Sequence, residues 1–179
     1  MSGSEVERAR LGDGEGWRQL YAAHASRLVL WLQTSASGDV VDSAEDIAAE
    51  SWLVAAEKIT AFRGDDDDFA GWLFGIARNL ATNARRRTRR RDTHPTDPHH
   101  HSLHGEPART GIPGALDHAR SLLDELPTRE REVVACLEVV GLDIDTTARA
   151  LGISQTAVRV ARHRGLSRLR RANLVLVAT

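Results

Sequence analysis

Apolar positions along the chain recur at steps of three and four, the period of helices packed on one face, and strand-like alternation is essentially absent. Phe69, Trp72, Leu73, Ile76, Ala77 and Leu80 form one stripe on a helix predicted from Phe69 to about Arg90. Ile47, Ala48, Ser51, Trp52, Ala55 and Ile59 form the packed face of another, predicted from Ala44 to Ala61, which leaves Asp46, Glu50, Leu53 and Glu57 outside. A third is predicted from Trp17 to Leu32. The periodicity fails over residues 92–114, DTHPTDPHHHSLHGEPARTGIPG, where four prolines, three glycines and five histidines stand without an apolar rhythm. It returns at Ala115 and runs almost to the end. The expected fold is all-α: two small helical domains, residues 5–91 and 115–173, joined by a flexible linker over 92–114.

In the second half, turn residues mark where helices stop. Pro127 ends one helix, Thr128 is placed to cap the next, and Glu130 and Glu132 suit its positive start. Gly141 stops that helix. Gly152 is placed to close a short helix Thr146–Leu151, with Ile153 as a buried turn residue and Ser154 as N-cap of a final long helix. Short helix, glycine turn and longer helix make the outline of a DNA-binding helix-turn-helix. Val158, Ala161, Leu166 and Leu169 are spaced to pack on the preceding helices. Gln155, Thr156, Arg159 and His163 then project from the part that enters a major groove, while Arg164, Arg168, Arg170 and Arg171 lie further along, where phosphates are met.

Charge placement strengthens the nucleic-acid reading. The formal net charge is only -1, but residues 1–84 carry 7 basic and 14 acidic side chains and residues 85–179 carry 17 and 11, so the halves stand at -7 and +6. From Gln155 to Arg171 there are six arginines and no acid, an arrangement that repels itself unless a polyanion lies beside it. On the helix before the linker, Asn79, Asn83, Arg86 and Arg90 continue one row off the apolar stripe. Two amides leading into guanidiniums suit exposed bases first and backbone phosphates next. Between the first-half helices, FRGDDDDF reads as a flexible acidic loop, repelled by phosphates but able to accept hydrogen bonds from base amino groups. Leu53, set among Asp46, Glu50 and Glu57, suggests a docking surface for a basic partner helix.

Other chemistries find less support. The single cysteine, Cys136, lies in the apolar run VVACLEVV and reads as a buried small side chain. No run approaches the roughly 20 apolar residues of a spanning helix, and the N-terminus lacks a signal-peptide profile, so a cytoplasmic, nucleoid-associated protein without membrane insertion is expected. His94, His99, His100, His101 and His104 could offer imidazoles to a metal. They lack the ordered scaffold and spaced carboxylate base of a catalytic zinc site, so neither a metal nor a cofactor is expected.

The segments AEDIAAESWLVAAEKITAFRG, FAGWLFGIARNLATNARRRTRRR, LLDELPTREREVVACLEVVGL and ARALGISQTAVRVARHRGLSRLR, in this order, resemble a bacterial RNA polymerase sigma factor of the extracytoplasmic-function group. The resemblance implies a region 2 helical bundle that binds core polymerase and melts the minus-ten promoter element. It also implies a region 4 helix-turn-helix that reads the minus-thirty-five element as a duplex. Asp46, Glu50 and Leu53 match the docking helix, with Glu57 on the same row. Asn79 and Asn83 match positions meeting the unpaired minus-ten strand, and the loop Gly64–Phe69 matches one that captures a flipped base; Arg63, Gly64, Asp65, Phe69, Arg86 and Arg90 complete the minus-ten set. Arg159, Val160 and His163 match positions facing minus-thirty-five bases, flanked by Gln155, Thr156, Arg164 and Arg168.

Three positions depart from the family pattern: Ala49 stands where glutamine is usual, QTAV replaces x-G-T-V, and Arg162 occupies a position usually apolar, leaving Ala161 or Leu166 to take its buried role. Partners implied are core RNA polymerase, promoter DNA and an anti-sigma factor, with the chain acting as a monomer on the polymerase and making no bonds itself. The rival reading is a stand-alone helix-turn-helix regulator, which would need its own dimer interface or effector domain.

Overall fold

A computed structural model of the chain describes residues 4–35, 44–92 and 121–177, and among these every regular element is a helix. Four belong to the first half: α1 (Glu5–Arg10), α2 (Gly14–Ser35), α3 (Ala44–Lys58) and α4 (Asp66–Asp92). In the second half, a helical stretch at 121–124 precedes α5 (Thr128–Val134), which runs into a π-helical turn (Ala135–Val139). Then come α6 (Ile144–Leu151) and α7 (Gln155–Val177). The linker histidines lie outside the described residues.

The apolar stripes are buried as their spacing predicts. Phe69, Leu73 and Ala77 are fully buried, with Trp72, Ile76 and Leu80 packed beside them, and Ile47, Ala48, Ser51 and Ala55 of α3, with Ile59 just past its end, face inward. The short α1, which the periodicity did not mark, adds Val6 and Ala9. Its N-terminus is held from α4: Asp66 accepts hydrogen bonds from the backbone N–H groups of Glu5 (3.1 Å) and Val6 (2.8 Å), orphan donors at a helix start. Arg10 in turn donates to the carbonyls of Phe62 and Gly64, fixing the bend between α3 and α4.

The aspartate run is therefore no flexible loop, contrary to the sequence expectation. Asp65 caps α4 by accepting from the N–H groups of Asp67 and Asp68, and Asp66, Asp67 and Asp68 fill its first turn, where negative charge suits the helix dipole.

In the second half Gly152 closes α6 with φ 63°, Gly141 turns the chain with φ 72°, and the Ser154 hydroxyl caps α7 through Ala157 N–H. Two caps differ from expectation. Pro127, not Thr128, precedes α5 and supplies no side-chain bond; the break is instead held by Arg131, which donates to the carbonyls of Leu123, Asp124 and Leu126. Helix α6 starts two residues early because Asp143 accepts from Thr146 N–H at 2.7 Å, a bond that also holds the Asp143 carboxyl below its ordinary range.

The two halves pack against each other along α4, whose second face meets α6. Phe74 of α4, off the predicted stripe, is also fully buried and lies beside Trp31 of α2. Gly71 allows the approach: a Cβ there would lie 2.8 Å from Arg149 Cβ and 3.2 Å from the Thr146 carbonyl. Trp31 of α2 also borders the buried Cys136 thiol in the π-turn. Arg27 donates to the carbonyls of Val140 and Gly141, groups that the end of that helical run leaves open, and Arg78 pairs with Glu132 at 3.2 Å.

Candidate nucleic-acid interface

The outer face of α3 keeps its predicted row in solvent. Asp46, Glu50 and Glu57 are exposed, and Leu53 is 66% exposed, among the few large apolar side chains left uncovered. Ala49 is exposed beside them. Tyr21 of α2, 57% exposed and 5.0 Å from the Trp52 ring, extends this surface, which sequence spacing within α3 could not reveal.

Asn79, Asn83, Arg86 and Arg90 are all exposed along α4, with Arg87 beside them. Their side chains follow one face because steps of three and four residues bring them round each turn. At the other end of α4 the predicted minus-ten residues divide. Arg63 is exposed, donating to the Thr60 carbonyl, while Asp65 is committed to the α4 cap. Gly64 is sterically required: a Cβ would lie 2.6 Å from the Phe62 ring and 2.7 Å from Asp68 Cβ.

Phe69 corrects the expectation most clearly. It is fully buried, ringed by His24, Trp52, Phe62 and Trp72, so its side chain is part of the core and presents no surface in this structure. Burial, with the Arg27 charge nearby, holds His24 below its ordinary pKa. Above this cluster a pocket of about 600 Å³ is lined by Phe62, Arg63, Asp68, Trp72 and, from the second half, Arg149.

On α7, Val158 and Ala161 are buried, and Leu166 and Leu169 pack partly against the core. Gln155, Thr156, Arg159, Val160, His163 and Arg164 are exposed on the opposite side, Val160 at 44%. Arg162 turns outward and pairs with Glu138 at 2.6 Å, so Ala161 takes the buried position and the face assignment stands. Gln155 is already engaged: its amide donates to Asp145 at 2.8 Å and accepts from Arg159 at 3.4 Å. Arg168 also departs from a simple phosphate contact, since its Nε lies 2.9 Å from the largely buried Glu130 carboxylate.

An exposed acidic-apolar row, an amide-to-arginine track and a helix-turn-helix with a basic outer face define a helical DNA-binding transcription protein. Family comparison agrees. Residues 20–91 match the Sigma-70 region 2 model and residues 117–169 match the Sigma-70 region 4 model. The ECF RNA polymerase sigma factor SigD of Mycobacterium tuberculosis is 34% identical over 131 residues, spanning 72% of this chain but 62% of that protein. ShbA of Streptomyces griseus, an ECF RNA polymerase sigma factor, is 32% identical over 94% of this chain and 93% of its own length. The solved structure of CnrH in complex with the cytosolic domain of CnrY shares the fold, with TM-score 0.69, 22% identity and coverage of 98% and 97% of the two chains. The chain belongs to the ECF group of RNA polymerase sigma factors.

No described helix is long and apolar enough to cross a membrane.

Proposed function

We propose that this chain is an alternative sigma factor: it binds core RNA polymerase, directs it to a set of promoters and holds the melted strand while the polymerase performs the chemistry. The reading has the chain work in the cytoplasm, on the nucleoid, and make or break no bond itself. Asp46, Glu50, Leu53 and Glu57 would dock a basic helical element of the polymerase. Asn79 and Asn83 would meet unpaired minus-ten bases, with Arg86 and Arg90 on the adjoining backbone. Thr156, Arg159, Val160 and His163 would read the minus-thirty-five duplex, Arg164 would position it, and Gln155 would join once released from Asp145. Residues 5–91 and 115–173 serve as the two functional domains.

The observation that carries this reading is the simultaneous exposure of three chemically distinct surfaces on one chain: an acidic-apolar docking row, a single-strand track and a duplex-reading helix. A stand-alone regulator would have no use for the first two. An anti-sigma factor, the kind of partner seen with the solved relative RpoE of Bartonella quintana, would act by covering such surfaces.

Purified protein added to core polymerase should co-elute with it and support initiation on a subset of a promoter-fragment panel. Duplex binding without core binding or promoter-dependent transcripts would favour the stand-alone regulator.

A further inference from the structure

Resting on the sigma-factor reading, we propose that Arg10 is a positioning residue for minus-ten recognition. It projects from α1, which lies ahead of the matched region 2 residues 20–91. From there it sets the loop between α3 and α4 in the conformation that meets an unpaired base, and it touches no DNA itself.

Helix α1 holds this loop at both shoulders. On one side, Arg10 Nη2 donates to the Phe62 carbonyl at 2.9 Å and to the Gly64 carbonyl at 3.0 Å, while Nη1 pairs with Glu7 at 2.9 Å. On the other, at the start of α4, Asp66 accepts from the Glu5 and Val6 N–H groups. The guanidinium carbon lies 5.8 Å from the centre of the buried Phe62 ring, which stacks on Trp72 with ring centres 4.5 Å apart.

The two carbonyls so held decide where the other edges of their peptides point. In a planar trans peptide the C=O and the next residue's N–H face opposite ways, and the described chain has no cis bond. Arg10 therefore turns the Arg63 and Asp65 N–H groups away from α1. Asp68 takes the Asp65 N–H at 3.4 Å, whereas the Arg63 N–H meets no acceptor among the described residues. Arg63 is exposed, and with Trp72 it lines the pocket of about 600 Å³, which has room for a base. A backbone donor and a guanidinium at one loop position suit the acceptor edge of an unstacked base. A loop already fixed needs no ordering when that base arrives, so loosening it weakens both binding and discrimination.

Arg10 is poorly placed to meet a phosphate directly. Its side chain is only 23% exposed, both Nη2 hydrogens go to carbonyls, and its Nε is buried.

Two measurements on the full-length protein test this. In the free chain, hydrogen–deuterium exchange of the loop amides 61–65 should be about fivefold faster in Arg10→Ala, with the α2 core amides within about twofold. For the polymerase-bound protein, fork-junction DNA from a promoter it uses carries each base in turn at each unpaired minus-ten position. Arg10→Ala should lose about fivefold in discrimination at the position that Arg63→Ala also affects, and stay within about twofold at the others and in core affinity. If Arg10→Ala unfolds by circular dichroism, Arg10→Lys replaces it: charge and stem are kept, the planar fork is lost, and the same losses should reach about twofold.

Unchanged loop exchange in a folded variant would overturn the proposal. So would discrimination that neither Arg10 nor Arg63 variants alter, or a loss spread evenly over all minus-ten positions. A fall of about 0.7 in the slope of log affinity against log salt, the share of one single-strand phosphate, would place Arg10 on the DNA and also overturn it. Failure of the unaltered protein to co-elute with core polymerase would instead count against the sigma-factor reading, with loop exchange in the free chain still deciding whether Arg10 sets the loop.

Discussion

Asn79 and Asn83 carry both a donor and an acceptor and no charge, which suits base edges better than phosphates. Both are exposed one turn apart on α4, so replacing them removes no buried contact. The Asn79→Ala, Asn83→Ala double variant should retain core-polymerase binding while open-complex formation, read by permanganate footprinting of unpaired thymines, falls by at least tenfold. Unchanged promoter opening would remove these amides from the site. Cys136 gives a second prediction, on stability. Its thiol rises from 9.0 to about 12 because burial penalises the thiolate, so above pH 9 the unfolded chain loses a proton that the folded chain keeps. The stabilising effect is whole below pH 9 and is lost toward pH 12, at roughly 1.4 kcal/mol for each pH unit. Urea midpoints at pH 8 and pH 10 should therefore differ more for the unaltered chain than for Cys136→Ala.

At the scale of elements, α7 approaches α5 so closely that Gly165 has no room for a side chain. A Cβ there would sit 2.8 Å from a methyl of buried Val134, whose β-branched side chain has few alternative rotamers. Alanine normally gains about 1 kcal/mol over glycine within a helix, but forced overpacking costs about 1–3 kcal/mol. Because this contact is rigid, Gly165→Ala should lower the urea midpoint, and a raised midpoint would show that the helices can separate.

The same helices show what sequence reading can and cannot reach. Stripes at 47–59 and 69–80 were legible because a helix resting on one core repeats at its own period. Phe74 was not, because it is buried beside Trp31 of α2, information absent from local spacing. The aspartates at 65–68 look like a solvated charge run in composition. Their roles as helix cap, clamp for α1 and partner for Arg149 depend on elements 60 to 80 residues away or on the precise start of α4. A cue did exist in the preference of aspartate for helix starts. Recognition-helix exposure was legible despite Arg162, since one outward arginine paired with Glu138 does not change the rhythm of Val158 and Ala161.

For the whole molecule, the charge asymmetry places DNA affinity mainly in counterion release. Each phosphate neutralised on duplex DNA contributes about -0.9 to the slope of log affinity against log salt. On α7 the exposed arginines are not equivalent. Arg164 and Arg170 lie in solvent, whereas Arg168 is held by the Glu130 carboxylate, only 11% exposed in its side chain. A guanidinium already paired with a carboxylate carries little net charge to offer a phosphate, and moving it would strand a buried acid. Three or four duplex phosphate contacts then imply a slope of roughly -3 to -4 for minus-thirty-five binding by the polymerase-bound protein. Removing Arg164 or Arg170 should flatten that slope by about 0.9, the share of one phosphate contact. Arg168→Ala should leave the slope nearly unchanged and instead lower the urea midpoint of the free chain, because Glu130 loses its partner. Fluorescence anisotropy from 50 to 300 mM salt, with urea unfolding of the same variants, separates the two roles. A slope change for Arg168→Ala equal to that for Arg164→Ala would show that the Glu130 pair opens when DNA arrives.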